Sequence, residues 1–347
     1  MDYQKYFTIS DDEPNKQVRW PKADASIGEV ADTETDATEG GEDQGPDVQA
    51  GDRRDGLVYV YNDKIELAVN VALATGRPML VRGPSGSGKS SLARNVARRM
   101  KWRYYEQVIT SRTQARDLLW NFDSLRRLSD AQADRLRDEA AYYIEPGKLW
   151  WAFDPDTARR RGTPGTSDIE NPVKDPGVGP KDSGAVMLLD EIDKADPDVP
   201  NNLLVPLGSF EFTVRETGTT VKAKRPLLLF ITTNDERMLP TAFMRRCVVL
   251  ELDPPDEQLL VRIAEEHYGA DTSNIYGPIA QRVLKLAADA SASSISSGTG
   301  ASAQSLPSTA EYLDTVRACV DLNLSPTKED EWKIISTATL WKRQTPA

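Results

Sequence analysis

Histidine and cysteine are almost missing from this chain. One histidine, His267, and two cysteines, Cys247 and Cys319, are spread over 347 residues. A zinc site of the usual Cys/His spacing needs close pairs of such ligands, so none can be built. Two widely separated cysteines make no disulfide framework, which fits a reducing, cytoplasmic setting. No run of about 18 apolar residues occurs, so no membrane span is expected. The opening stretch, MDYQKYFTISDDE, is too polar and acidic for a secretory signal.

Basic residues are also in deficit, with 43 Lys+Arg against 54 Asp+Glu and a net charge of −11. The deficit is local. Residues 1–55 hold 15 acids and 6 bases, leaving 39 acids and 37 bases for residues 56–347. The acidic balance argues against general nucleic-acid binding, although a local basic surface is compatible with it. Residues 22–55 combine high charge with few large apolar side chains. Such a segment buries too little surface to offset its ordering entropy, so residues 1–55 are expected to form a disordered acidic tail. Ahead of that stretch stand Tyr3, Tyr6, Phe7, Ile9, Val18 and Trp20. Two readings are open there: a peptide that docks on a partner or neighbouring subunit, or a plain loose terminus.

From about Gly56 the pattern becomes α/β. Short runs apolar on both faces recur at 79–81, 186–189, 227–231 and 248–252, as buried parallel strands do. Leu92, Ala93, Val96, Ala97 and Met100 form an apolar helical stripe after the first of them. Strands alternating with helices predict a parallel sheet flanked by helices over residues 56–254. Inserts are expected near 120–183 and 210–225. After Asp253-Pro254-Pro255 no strand is expected. Helices near 256–268, 277–289, 308–322 and 329–343 predict a small all-α lid domain over 255–347. A Ser/Ala/Gly-rich flexible loop is expected at 291–304.

The chemistry begins at Gly83-Pro84-Ser85-Gly86-Ser87-Gly88-Lys89-Ser90, which fits G-x-x-x-x-G-K-[ST] in full. Its glycines let backbone N–H groups turn inward around phosphate oxygens, and a helix N-terminus adds partial positive charge. These residues with the following Ser91 are the expected ATP-binding set. Lys89 is expected on the β- and γ-phosphates and Ser90 on Mg²⁺. The apolar run at 186–189 ends in Asp190-Glu191, two carboxylates at the carboxyl edge of the sheet, where ligands of such folds bind. Asp190 is expected to hold Mg²⁺ through its water shell and Glu191 to polarise the attacking water. Asn234 closes the run at 227–233. It either orients that water or merely starts a turn. Arg245 and Arg246 precede the last strand, as a solvated basic corner or as an arginine finger reaching a neighbouring subunit.

The order GPSGSGKS, LLDEID, ITTN, LPTAFMRRC and four helices resembles the AAA+ ATPase superfamily. Two features resemble its MoxR-like branch, in the clade with McrB and dynein-type modules. YIEPGKLWWAF at 143–153 is similar to an aromatic-Pro-Gly-Leu segment in that clade's helix-2 insert. FEFTVRETGTTVKAKR at 210–225 alternates around Glu216-Thr217-Gly218 as a hairpin should, where the clade carries one. The resemblance covers about residues 57–343. It implies an AAA+ core plus lid, Asn234 as sensor 1, Arg246 as the arginine finger with Arg245 behind it, and a homo-oligomeric, usually hexameric ring. It also implies a chaperone-like remodeller of a protein partner, in some members one with a von Willebrand A domain. One departure stands out: Leu306-Pro307-Ser308-Thr309-Ala310-Glu311, where MoxR-like lids place a sensor-2 arginine, holds no basic residue, and Arg317 lies about two turns later.

Other features have two readings each. Trp150 and Trp151 with Tyr142 and Tyr143 form either a substrate-gripping surface or a satellite core. Arg215, Lys222, Lys224 and Arg225 make the hairpin either a phosphate-tracking element or a solvated face. The Pro/Gly-rich segment 154–183 is expected to be a mobile extension whose Arg159, Arg160 and Arg161 meet phosphate or an acidic partner. The functional alternatives are an McrB-like nucleic-acid-directed motor, with GTP or ATP as its nucleotide, and an ATP-binding switch with little turnover.

Overall fold

A computed structural model describes residues 6–8, 56–163, 169, 183–296 and 307–340. The rest of the expected acidic tail, most of the 154–183 extension and residues 297–304 of the expected loop lie outside the described residues. In chain order come α1 (Asp63–Thr75), β1 (Met79–Arg82), α2 (Lys89–Met100), β2 (Arg103–Val108), α3 (Ala115–Leu119), β3 (Trp120–Phe122), α4 (Ser124–Gln132), β4 (Ile144–Pro146), α5 (Lys148–Phe153), α6 (Pro155–Arg159) and β5 (Ala185–Asp190). There follow α7 (Asp198–Ser209), β6 (Glu211–Thr213), β7 (Thr220–Lys222), β8 (Leu227–Thr233), α8 (Thr241–Met244), β9 (Val248–Glu251), α9 (Glu257–Tyr268), α10 (Tyr276–Ser296), α11 (Thr309–Leu322) and α12 (Glu329–Thr339).

Five strands pair in the order β2-β5-β8-β1-β9, every pairing parallel. Period-2 alternation sends successive side chains into two cores. Ala185, Met187 and Leu189 of β5 face α5 and α7, with Leu229 and Ile231 of β8 beside them. Val186 and Leu188 face α1 and α2, with Phe230 beside them. Four of these strands were legible as apolar runs. β2 was not, because Arg103, Glu106 and Gln107 interrupt it. At the sheet edge it tolerates them: Glu106 accepts from Arg94 at 2.7 Å and from Tyr104 at 2.8 Å.

The expected inserts build two small antiparallel pairs, β3 with β4 and β6 with β7. They share one core centred on Phe212, whose ring stacks on Trp120 at 5.7 Å and meets Trp150 at 5.8 Å and Phe153 at 5.9 Å. Trp150, Trp151 and Tyr143 are buried, so the satellite-core reading holds and the substrate-gripping surface does not. Burying each large ring stabilises the insert by about 1.5–3 kcal/mol. Within 154–183 the expected mobile stretch is corrected at its start. Residues 155–159 form α6, because Asp154 caps Thr157 N–H and Pro155 opens the helix.

Helices α9 to α12 enclose a separate core that includes Leu260, Ile279, Val283, Tyr312, Val316 and Trp332. The flexible loop expected from 291 is corrected: α10 continues to Ser296, since alanine and serine do not break a helix as glycine or proline would. Ser308 and Glu311 form a reciprocal capping box at the start of α11.

Candidate functional site

β1 delivers the chain into the loop 83–88, where Gly83, Gly86 and Gly88 take φ of 149°, 73° and 86°. L side chains rarely adopt these values, so glycine is required for the loop to curl over the start of α2. At Gly86 a Cβ would come within 2.4 Å of Ser308, so the first turn of α11 abuts the loop. Ser85 and Pro84 are exposed, while Ser91 lies partly covered in the first turn of α2. The hydroxyl oxygen of Ser87 is buried and without a partner among the described residues.

Lys89 is 7% exposed, and its ammonium donates to Gly83 O at 2.8 Å, Pro84 O at 2.7 Å and Asn234 Oδ1 at 2.8 Å. Burial pulls its pKa below the usual lysine value, opposed by the charges of Asp190, Asp193, Glu191 and Asp235. Ser90 Oγ donates to Asp190, 2.9 and 3.0 Å from its two carboxylate oxygens. Thr232 Oγ1 donates to Asp190 Oδ1 at 2.6 Å and accepts the Glu191 N–H at 2.8 Å. The expected residues Lys89, Ser90, Asp190, Glu191 and Asn234 thus converge at the carboxyl ends of β1, β5 and β8.

Residues 78–247 match the AAA domain of the dynein-related subfamily. The parallel sheet with its P-loop is an AAA+ P-loop NTPase fold, and the matched AAA domain is an ATPase. It ends before β9, so α9 to α12 lie beyond the matched stretch. Among solved structures the chain is similar to the Thermotoga maritima RuvB Holliday junction branch migration motor. Identity is 15%, with 79% of each chain covered and a TM-score of 0.35. It is also similar to domain III of the Thermotoga maritima replication initiation protein DnaA. There identity is 13%, with 84% of this chain and 99% of that one covered and a TM-score of 0.41. No curated protein matches.

Within the matched stretch two further residues shape the site, and the motifs did not single them out. Asp193, 2% exposed, accepts the backbone N–H groups of Asn234 and Glu236 through Oδ2. Its other oxygen is buried and without a partner among the described residues. Lys194 donates to Glu191 Oε2 at 2.8 Å, and this pairing raises the lysine pKa. Both lie in the turn after β5, and the only signal was their place within DEIDK. Glu191 and Asp235 hold left-handed backbone conformations, φ 61° and 60°, at the ends of β5 and β8. Strain of this kind costs about 1–3 kcal/mol at a non-glycine residue and concentrates at functional sites.

Arg246 is not at this site. It precedes β9, whose Val248 pairs with Met79 at the start of β1, while Lys89 follows the end of β1. Four residues of strand separate the two levels by roughly 13 Å. Arg246 is exposed, donates to Leu204 O at 2.8 Å and lines a cavity of about 1080 Å³ with Arg77, Lys222 and Phe243. Arg245 is exposed beside it. Arg317 pairs with Asp321 on the surface of α11 at 3.2 Å, and Ser308 occupies the place nearest the P-loop. Two hairpin cations are engaged locally: Lys224 meets Asp154 at 2.8 Å and Arg225 meets Asp156 at 3.4 Å. Among the described residues no helix is long and apolar enough to cross a membrane, and no cluster of three His, Cys, Asp or Glu side chains could hold a metal.

Proposed function

We propose that this chain is a ring-forming, Mg²⁺-dependent ATPase of MoxR-like type that remodels a protein partner. The observation that carries the ring is the placement of Arg246. It lies at the opposite end of the sheet from Lys89 and serves the nucleotide of a neighbouring copy, with Arg245 behind it.

The residues fit Mg²⁺. A hydroxyl and a carboxylate, Ser90 and Asp190, meet within 3.0 Å. Magnesium favours such oxygen donors together with water and substrate phosphate over an all-protein cage. Held by Ser90 and Asp190, the ion would supply positive charge against the negative charge of the phosphates. Lys89 and the N–H groups of 83–90 hold the phosphates, and the buried Ser87 hydroxyl offers one more donor to them. Asn234 fixes the water through its amide, and Glu191 accepts that water's proton.

Mixing subunits tests this reading. Arg246→Ala should bind ATP yet lose hydrolysis, and adding Lys89→Ala subunits should restore part of it, because each supplies what the other lacks. No recovery in mixed rings would overturn the trans role. Glu191→Gln should bind ATP, hold the ring and hydrolyse little. Used as bait, it should retain the partner, for which a von Willebrand A domain protein is the class the MoxR-like resemblance suggests. The Lys194–Glu191 ion pair favours a second reading, a switch with slow turnover, which a steady-state ATPase assay separates. A nucleic-acid motor is less favoured, since Lys224 and Arg225 are spent on Asp154 and Asp156. Stimulation by DNA or RNA would reverse that preference.

A further inference from the structure

We infer that residues 6–8 are a built-in peptide ligand of the ATPase domain, whose docking on α1 sets how tightly the P-loop holds nucleotide.

The docking site is built around Asn70, 3% exposed in the middle of α1. Its Oδ1 accepts the N–H groups of Tyr6 at 2.6 Å and Phe7 at 2.9 Å, and its Nδ2 donates to Phe7 O at 2.8 Å. The second Nδ2 hydrogen goes to Glu66 O in the same helix at 2.9 Å. One side-chain amide therefore reads both backbone groups of Phe7. With the peptide seated, Asn70 Oδ1 and both Nδ2 hydrogens are paired, as a buried amide requires, so this face of α1 matches the donor and acceptor of a backbone. Phe7 supplies the specificity. It is fully buried in the core that holds Val69, Val96 and Leu250, although residues 9–55 separate it from the domain.

From Phe7 a line of contacts runs to the nucleotide loop. The Phe7 ring lies 5.4 Å from Tyr61, and Tyr61 lies edge-on to Tyr59 at 5.0 Å. Tyr61 is pinned to α2, its hydroxyl donating to Asn95 Oδ1 at 2.7 Å while Arg99 lies over its ring. Tyr59 rests on Gly88, where an added Cβ would approach its ring to 3.3 Å. Gly88 is the N-cap of α2, the turn that presents Lys89 and Ser90. Removing Phe7 takes away the support behind Tyr61 and Tyr59, and with it the backing of the loop.

The inference rests on the nucleotide reading of the P-loop, and the two fail separately. Titration of the full chain with a fluorescent ATP analogue tests that reading: the parent binds and Lys89→Ala does not. Phe7→Ala should then bind the analogue about tenfold more weakly, within the usual range of coupling between sites. A synthetic peptide of residues 1–12 should restore the affinity. Coupling is reciprocal, so saturating analogue should slow hydrogen exchange at the Phe7 amide of the parent chain by the same factor. The exchange measurement needs no substitution, so it stands even if Phe7→Ala folds poorly. An analogue that binds while Phe7 exchange stays unchanged would overturn the inference. So would parent-like affinity in Phe7→Ala.

Discussion

Asp193 accepts the backbone N–H of Asn234 at 3.1 Å, so the turn after β5 sets the position of the amide that ends β8. The same carboxylate oxygen takes Glu236 N–H at 3.0 Å. Two loops that share no sequence motif are thereby held as one.

Replacing this acceptor should therefore act on turnover. Asp193→Ala lets Asn234 drift, and misplacement of about 1 Å can cost on the order of 100-fold in rate. The expected result is a fall of that order in kcat with KM for ATP little changed, and a smaller fall for Asp193→Asn, which keeps one acceptor. Steady-state kinetics on both variants check it. A loss confined to KM would mean Asp193 supports binding instead.

Lys194 holds the carboxylate assigned to water activation. The pair is partly exposed, 41% and 29%, so its strength is at most about 1 kcal/mol, or roughly fivefold in rate. Lys194→Met should raise basal hydrolysis by up to that factor. A lower rate would show that the lysine aligns Glu191 instead of restraining it.

The buried ammonium of Lys89 gives opposite pH trends. Its folded pKa lies below 10.5 because burial disfavours the charge. Between the folded pKa and 10.5 the unfolded chain binds more protons, so this group adds stability as pH rises through that window. Nucleotide affinity should fall over the same window, because the phosphates lose their cation. For the parent, melting temperature should gain relative to Lys89→Met as pH rises through this window, while the parent's analogue affinity falls. Parallel curves would contradict the assignment.

Both thiols are sealed. Burial pushes Cys247 up to about 12 and Cys319 up to about 11. At pH 8 the Cys247 thiolate fraction is on the order of one in ten thousand, and the thiolate is the reactive form. A disulfide reagent at that pH should label neither in the native chain and both in denaturant. Rapid native labelling at either position would mean its burial is transient.

Trp150 is fully buried and donates its indole N–H to Thr157 at 3.0 Å. Trp150→Ala should destabilise the chain by about 3–5 kcal/mol, as large-to-small changes at buried aromatics do. Chemical denaturation measures it. A cost under about 1 kcal/mol would mean the insert core contributes little.

The P-loop and the DE pair were legible because phosphate chemistry permits few residue types at few spacings. The four apolar strands were legible because burial on both faces leaves no polar alternation. β2 escaped notice since its edge position lets Glu106 find partners outside the ladder. Asp193 escaped because a carboxylate serving backbone N–H groups looks in sequence like any acid in a turn. The docking of Phe7 on its own domain was in neither open reading, which offered a partner or neighbouring subunit, or a loose terminus. What favoured it, a single asparagine on α1, lies more than sixty positions away. Arg317 lies about two turns past the place where the resemblance expects a sensor-2 arginine, and it pairs with Asp321 on the same helix.

Phe212 has a mechanical consequence. Trp120, Trp150 and Phe153 grip one ring from the hairpin, and α5 beneath them packs on β5, the strand that ends in Asp190. Glu216 at the hairpin turn takes the Trp120 indole N–H at 2.8 Å, closing the truss from its far side. Among the described residues, the hairpin and Asp190 are thus joined through packed rings, α5 and β5. Packing of this kind passes displacement through side-chain contacts, so the hairpin and the strand that carries Asp190 are expected to shift as one body.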